Sequence, residues 1–172
     1  FGIRRVGTCV QFWKCGVGGA WEIKRNVADA TYDVTTWRIA FFLSSALSSI
    51  DEVGGGTCVP VPFPSTGVLD TFNRADGDVS RADRWPVSGD PTFADMRVSS
   101  NQLANKSRYL AGGYPWDRPI CGENCEMYID VADGWNEGPY ADISLTFNQN
   151  NSATWVGYEA YVCTDEYVEM KR

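Results

Sequence analysis

The chain contains no histidine at all among its 172 residues. Catalysis by Ser/His/Asp or Cys/His systems is excluded with it, and so are metal sites built on imidazole. Positive charge is also scarce: 15 Lys and Arg stand against 22 Asp and Glu, for a net charge of -7. Nucleic-acid affinity rests on clustered cations that neutralise phosphates, and the Arg4–Arg5 pair is too small to supply one, so no nucleic-acid partner is expected. Long apolar runs are missing too. The best candidate, "WRIAFFLSSAL" from Trp37 to Leu47, is about half of the roughly 20 residues that cross a bilayer, and it reads as a buried strand rather than a membrane insertion. No signal peptide precedes Phe1, so any export signal is expected to have been removed or to lie outside this sequence. Convincing helical periodicity is absent as well.

Aromatic and β-branched residues are plentiful and recur in short runs between Gly, Pro, Asn, Asp and Ser, which is an all-β pattern. The block from Ile3 to Cys15 alternates as one strand packed on both faces. "GVGG" at Gly16 to Gly19 supplies a hairpin turn, and the return strand places Trp21, Ile23 and Val27 on one side. Further strands are expected at Trp37–Leu43, in "SSIDEV" from Ser48 to Val53, at Val68–Phe72, on both sides of a turn at Ser99–Asn101, and around Cys125–Val131, Ala141–Phe147 and Tyr158–Cys163. Between Gly54 and Thr66, three glycines and three prolines predict an extended connector outside any central sheet, pinned down near Cys58. About ten short strands with such turn spacing fit an antiparallel jelly-roll sandwich.

Six cysteines (Cys9, Cys15, Cys58, Cys121, Cys125 and Cys163) are many for a reducing compartment. Zinc would want clustered ligands, whereas Cys58 and Cys163 stand alone in sequence, so disulfides in an oxidising compartment are the expectation. Cys9 and Cys15 lie six apart, on one face of an extended strand and too far apart to bond each other there. "CGENC" could close a local loop between Cys121 and Cys125, but the connectivity is open.

The residues "LDTFNRADGDVSRADRW", "RVSSNQLAN", "CEMYIDVADG", "ADISLTF" and "VGYEAYV" resemble the first half of a concanavalin-like jelly-roll domain found in minor tail and tail-fibre proteins of phages. The first 56 residues resemble the second half of that same domain, with Val53 standing where the family favours an aromatic. The resemblance therefore implies residues 1–56 as a C-terminal half, 57–66 as a Gly/Pro connector, and 67–172 as an N-terminal half, in swapped order. Such a chain could close on itself as a circular permutant. It could instead be completed by strands of a neighbouring copy, polymerising head to tail, or be one window of a tandem array. Exchange between copies is the preferred expectation, because two incomplete halves joined by an extended connector are what it requires.

Several residue groups could carry chemistry. Glu126 and Asp130 share a strand parity, and Asp165, Glu166 and Glu169 cluster, but the compact acidic motif of laminarinase-like glycosidases is absent, so these are read as solvent-facing charges and no enzymatic activity is expected. Asp76, Asp78 and Asp83 in "RADGDVSRAD" could hold a structural calcium, with Asp51 or Asp70 nearby if the first and last strands pair; no other cofactor is implied. Tyr114, Trp116 and Asp117, with Trp135 and Asn136, have the loop positions and side chains of a lectin-type sugar site, though the favoured reading of Trp116 and Trp135 is that they cover the ends of a sandwich core. Asn105 and Asn150 match the N-glycosylation pattern. The expectation is a non-enzymatic structural or adhesive module of an extracellular fibre or phage tail appendage. Its partners would be copies of itself and host-surface glycans, and a carbohydrate-binding module is the alternative.

Overall fold

The computed structural model describes residues 1–16, 18–28, 38–43, 49–58, 62–79, 96–105, 112–115, 124–133, 143–148, 157–162 and 168–171. Every element among them is a β-strand: β1 (Gly2–Val6), β2 (Cys9–Cys15), β3 (Trp21–Ala28), β4 (Arg38–Leu43), β5 (Ser49–Thr57), β6 (Val68–Asp70), β7 (Gly77–Asp78), β8 (Met96–Ser99), β9 (Gln102–Asn105), β10 (Gly112–Pro115), β11 (Asn124–Asp133), β12 (Ile143–Asn148), β13 (Gly157–Val162) and β14 (Val168–Lys171). No helix among the described residues is long and apolar enough to cross a membrane. All described pairings are antiparallel.

Two sheets result, one in the order β3-β2-β1-β11-β5-β9-β8-β7 with β6 also paired to β5, the other in the order β10-β4-β12-β13-β14. The two sequence segments interleave in both. In the larger sheet β11 of 67–172 lies between β1 and β5 of 1–56, and in the smaller β4 of 1–56 lies between β10 and β12 of 67–172, so each segment is bounded by the other within one chain. Register sets Ile3 beside both Phe12 and Met127, and Ile129 beside Val53, all buried. Burying each such side chain contributes about 1.5–3 kcal/mol, so this shared apolar face is what commits the two segments to one core. Leu145 of β12 is fully buried as well.

The structure corrects several expectations. Ile3–Cys15 is a hairpin and not one strand, because Gly7 takes a left-handed φ of 56° and turns the chain at Gly7–Thr8. The turn at Gly16–Gly19 forms as expected, with Gly19 N donating to Gly16 O at 2.9 Å. In β3, however, the register slips between Ile23, opposite Trp13, and Arg25, opposite Phe12, so Lys24 is an extra bulged residue. Ile23 therefore sits with Trp13 and Val27 with Val10, and the common face expected for Trp21, Ile23 and Val27 is broken. The hairpin at Ser100–Asn101 forms as expected, both residues being left-handed (φ 54° and 62°). Strands β7, β10 and β14 were not anticipated.

The largest correction concerns the glycines of the connector. Gly54, Gly55 and Gly56 belong to β5, in the middle of the larger sheet, and β5 runs on to Thr57. Pairing with β11 sets Tyr128 opposite Gly54, where its ring occupies the space a Cβ would need. The glycine is there for an aromatic neighbour, not for flexibility.

At the start of the second segment, β6 ends in a tight polar turn. Asp70 Oδ1 accepts from Phe72 N and from Arg74 Nη1, both at 2.8 Å. These contacts hold Phe72 at φ 52°, a strained conformation for a bulky residue, while its ring is fully buried. The Arg74 guanidinium lies 5.5 Å from the Phe72 ring centroid.

Candidate functional site

The most organised polar cluster among the described residues lies on the face of the larger sheet opposite Ile3 and Met127. Arg4 of β1 and Glu126 of β11 are direct register partners, and the neighbouring positions on this face carry Trp13 of β2 and Tyr128 of β11. Both charged side chains are 0% exposed. This overturns the solvent-facing reading of Glu126. A buried ion pair is retained only with close geometry and further hydrogen bonds, because removing two charges from water costs several kcal/mol per ion.

Both conditions are met, and residues of the connector supply the second. Glu126 Oε2 accepts from Arg4 Nε at 2.9 Å and Nη2 at 2.5 Å. Glu126 Oε1 accepts from Ser65 N at 2.5 Å, Ser65 Oγ at 3.2 Å, Thr66 N at 2.7 Å and Thr66 Oγ1 at 2.8 Å. Arg4 Nη2 also donates to Pro62 O at 2.7 Å. The chain from Pro62 to Thr66 is thus a strap laid across the sheet and fastened to one carboxylate. Proline suits the strap because a segment that joins no ladder needs few backbone donors.

Aromatic packing completes the fastening. Phe63 is buried, stacks on Trp13 with centroids 4.8 Å apart and planes 2° from parallel, and meets Trp21 edge-on at 4.8 Å. The Arg4 guanidinium lies 4.7 Å from the Phe63 centroid and 5.5 Å from that of Trp13, distances at which a cation gains from the ring quadrupole. Gly2 stands where any Cβ would strike the Phe63 ring. Trp21 in turn meets Tyr128 at 6.4 Å.

In this cluster Glu126 acts as a hydrogen-bond acceptor that joins Arg4 to the strap. Both oxygens of Glu126 are engaged by donors away from solvent, so the carboxylate offers no reacting atom a route to it. Asp130 is exposed, and four residues along a strand separates it from Glu126 by about 13 Å, beyond the roughly 5–10 Å of a glycosidase pair. Asp130 is instead the register partner of Glu52 in β5. Burial, then Asp130, then Asp51 push the Glu52 carboxyl above its ordinary range. Burial likewise raises the Tyr128 hydroxyl, with Glu52 and Glu126 adding to the effect.

The residues singled out in the sequence are scattered. Tyr114 lies in β10, opposite Phe41 of β4, while Trp116, Asp117, Trp135 and Asn136 fall outside the described residues. Asp76 and Asp78 are exposed; Asp76 Oδ1 accepts from Ser100 N at 2.8 Å, and Asp78 in β7 is opposite Arg97. Asp83 lies outside the described residues, among which no three His, Cys, Asp or Glu side chains gather as a metal site. Asp70 is brought opposite Val53, and its carboxylate is paired with Arg74 at 2.8 Å. Asn105 is buried in β9, Asn150 lies outside, and of the acidic cluster only Glu169, in β14, is described. Cys9 and Cys15 are half-buried free thiols of β2. Cys58 and Cys125 are buried, with Cys58 Sγ 3.8 Å from Arg5 O, and Cys121 and Cys163 fall outside the described residues.

Sequence reasoning missed Arg4, Ser65, Thr66 and Phe63. One signal was present: two arginines inside a strand whose neighbours are apolar must be satisfied by something, and a buried acid is the usual answer. No protein-family model matches the chain, and comparisons with curated proteins and with solved structures return no match.

Proposed function

We propose that the chain is a non-enzymatic structural and adhesive module, a jelly-roll unit of an extracellular fibre or phage tail appendage that assembles with copies of itself. The observation that carries this reading is the strap. The best-organised buried charge of the described residues holds the link between two interleaved segments, which is the investment expected where a fold must resist being pulled apart at its joint. The resemblance of the two segments to halves of a tail-fibre domain supplies the setting. In that setting the strap is also the hinge about which one segment would leave its own chain and complete a neighbour, giving head-to-tail growth.

Sedimentation and negative-stain electron microscopy of the purified chain across micromolar concentrations test the reading. Filaments or rings that fall apart to subunits under mild denaturation are expected, and discrete monomers at every concentration overturn the assembly. A glycan array run beside it decides the adhesive part: saturable binding lost in Trp116→Ala and Trp135→Ala would identify a carbohydrate-binding module instead.

A further inference from the structure

Sheet edges expose unpaired backbone groups, and proteins blunt them with short strands, proline, bulges and charge. Among the described residues the two sheets end in β3, β7, β10 and β14. Three of these ends are short: β7 has two residues, β10 has four including Pro115, and β14 has four. β3 has eight, all half-buried or exposed; it carries charges and a bulge, and also Ile23, one of two large apolar side chains exposed among the described residues, at 46%.

We propose that the outer edge of β3 is a self-association surface, to which a second copy of this chain adds its own β3 antiparallel in a two-fold contact centred on Ile23. The charge order selects that register. Glu22 and Lys24 flank Ile23 and lie on one face of the strand, already paired with each other at 2.6 Å and well exposed. In an antiparallel pair centred on Ile23, each Glu22 stands opposite the other copy's Lys24, and the two Ile23 side chains meet. Neighbouring registers fail. Centring on Glu22 or on Lys24 sets like charges face to face, and centring between Ile23 and Lys24 sets the exposed isoleucine against an ammonium. The ladder of β3 with β2 is regular from Trp21 to Ile23 and is interrupted at Lys24, so the proposed contact is centred on the last regularly paired residue before the bulge.

This contact is distinct from the head-to-tail exchange proposed above: it is isologous, involves neither the strap nor an opened fold, and stands or falls separately. In a fibre it would join strands of subunits side by side.

Charge reversal tests it. Equilibrium sedimentation of the intact chain is expected to show a two-fold species that Glu22→Lys or Lys24→Glu each weaken by about tenfold or more, since two cross-strand pairs become repulsive in either variant. The double variant Glu22→Lys/Lys24→Glu restores association, because the charges again alternate about Ile23. Independently, Ile23→Cys under dissolved dioxygen, which accepts the electrons and protons of the two thiols, is expected to form a covalent dimer well above the background of the native thiols, whereas Glu22→Cys is not. Association indifferent to the reversals, a double variant as weak as the single ones, or Ile23→Cys crosslinking no faster than Glu22→Cys each overturns the proposal. Filaments that persist with an unreactive edge would leave the fibre reading intact, and a two-fold dimer with no filament would do the reverse.

Discussion

Replacing Glu126 by Gln removes one charge and almost no volume, so its effect isolates what the carboxylate does. The native side chain accepts from Arg4 on one oxygen and from Ser65 and Thr66 on the other, and it donates nothing. Glutamine has one acceptor oxygen and one amide nitrogen. If the nitrogen faces Arg4, donor opposes donor beside a guanidinium that is 0% exposed, and an uncompensated buried charge costs about 3–5 kcal/mol. If it faces the strap, two backbone N–H groups lose their acceptor at about 1–3 kcal/mol each. Either orientation removes several kcal/mol from a total of roughly 5–15 kcal/mol.

Urea titration followed by tryptophan fluorescence measures the loss, and limited proteolysis reports whether the strap has lifted. A loss below about 1 kcal/mol with unchanged proteolysis would refute the reasoning. The double substitution Arg4→Met/Glu126→Leu separates the two halves of the argument. Exchanging a buried ion pair for apolar side chains is often neutral in itself. Here the Ser65 and Thr66 amides would still lack their acceptor, so the double variant is expected to recover only part of the stability and to remain cleavable at the strap. Full recovery of both would mean that the ion pair, and not the strap attachment, is what Glu126 provides.

Gly54→Ala is expected to destabilise by about 1–3 kcal/mol in the same titration, because the new Cβ meets the Tyr128 ring inside a paired strand. Asp70→Ala frees the turn that holds Phe72 left-handed and is expected to cost about 1–2 kcal/mol, with Phe72→Ala costing about 3–5 kcal/mol through the cavity it leaves. Glu52→Gln is expected to stabilise the chain at neutral pH and to have no effect in acid: the folded carboxyl is raised, so native stability is full below the ordinary glutamate pKa and falls as pH rises through the folded value, a slope that thermal melts from pH 4 to 8 would show flattened in the variant. Alkylation of the native protein followed by mass spectrometry is expected to label Cys9 and Cys15 before Cys58 and Cys125, in the order of their exposure.

The strand pattern was legible wherever alternation was local. β11 and β12 and the hairpin at Ser100–Asn101 follow from period-two patterning and turn residues alone. Three features defeat that reading for physical reasons. The Gly7 turn moves the core face from odd positions in β1 (Ile3) to even ones in β2 (Val10 and Phe12), and the switch is masked in the sequence because large side chains such as Trp13 stand on the other face as well. The bulge at Lys24 changes parity in the partner's frame without leaving a mark in the sequence of β3 itself. The glycines of β5 look like a linker because what they accommodate, the ring of Tyr128, lies some 70 residues away in sequence. The candidate site was legible only as a puzzle. Arg4, in an apolar strand, and Glu126, between Cys125 and Met127, were each visible, but their pairing is a register fact.

That register fact bears on why the joint is polar. An apolar strap over an apolar face would bind with comparable strength in several positions, since the hydrophobic effect is non-directional. A single carboxylate that must satisfy Arg4 on one oxygen and two successive residues of the strap on the other accepts only one position of each, and a slip of the strap by one residue would leave a buried charge and buried amides without partners. The cluster therefore fixes how residues 62–66 lie across β1 and β11, which belong to different segments, and so couples the position of the link to the pairing of the segments it joins. Two segments whose strands alternate in both sheets need such a constraint, because a register shift of one residue would turn every side chain of a strand to the other face. Holding the arrangement by one polar contact ties the strap, and with it the pairing of β1 and β11, to a single register.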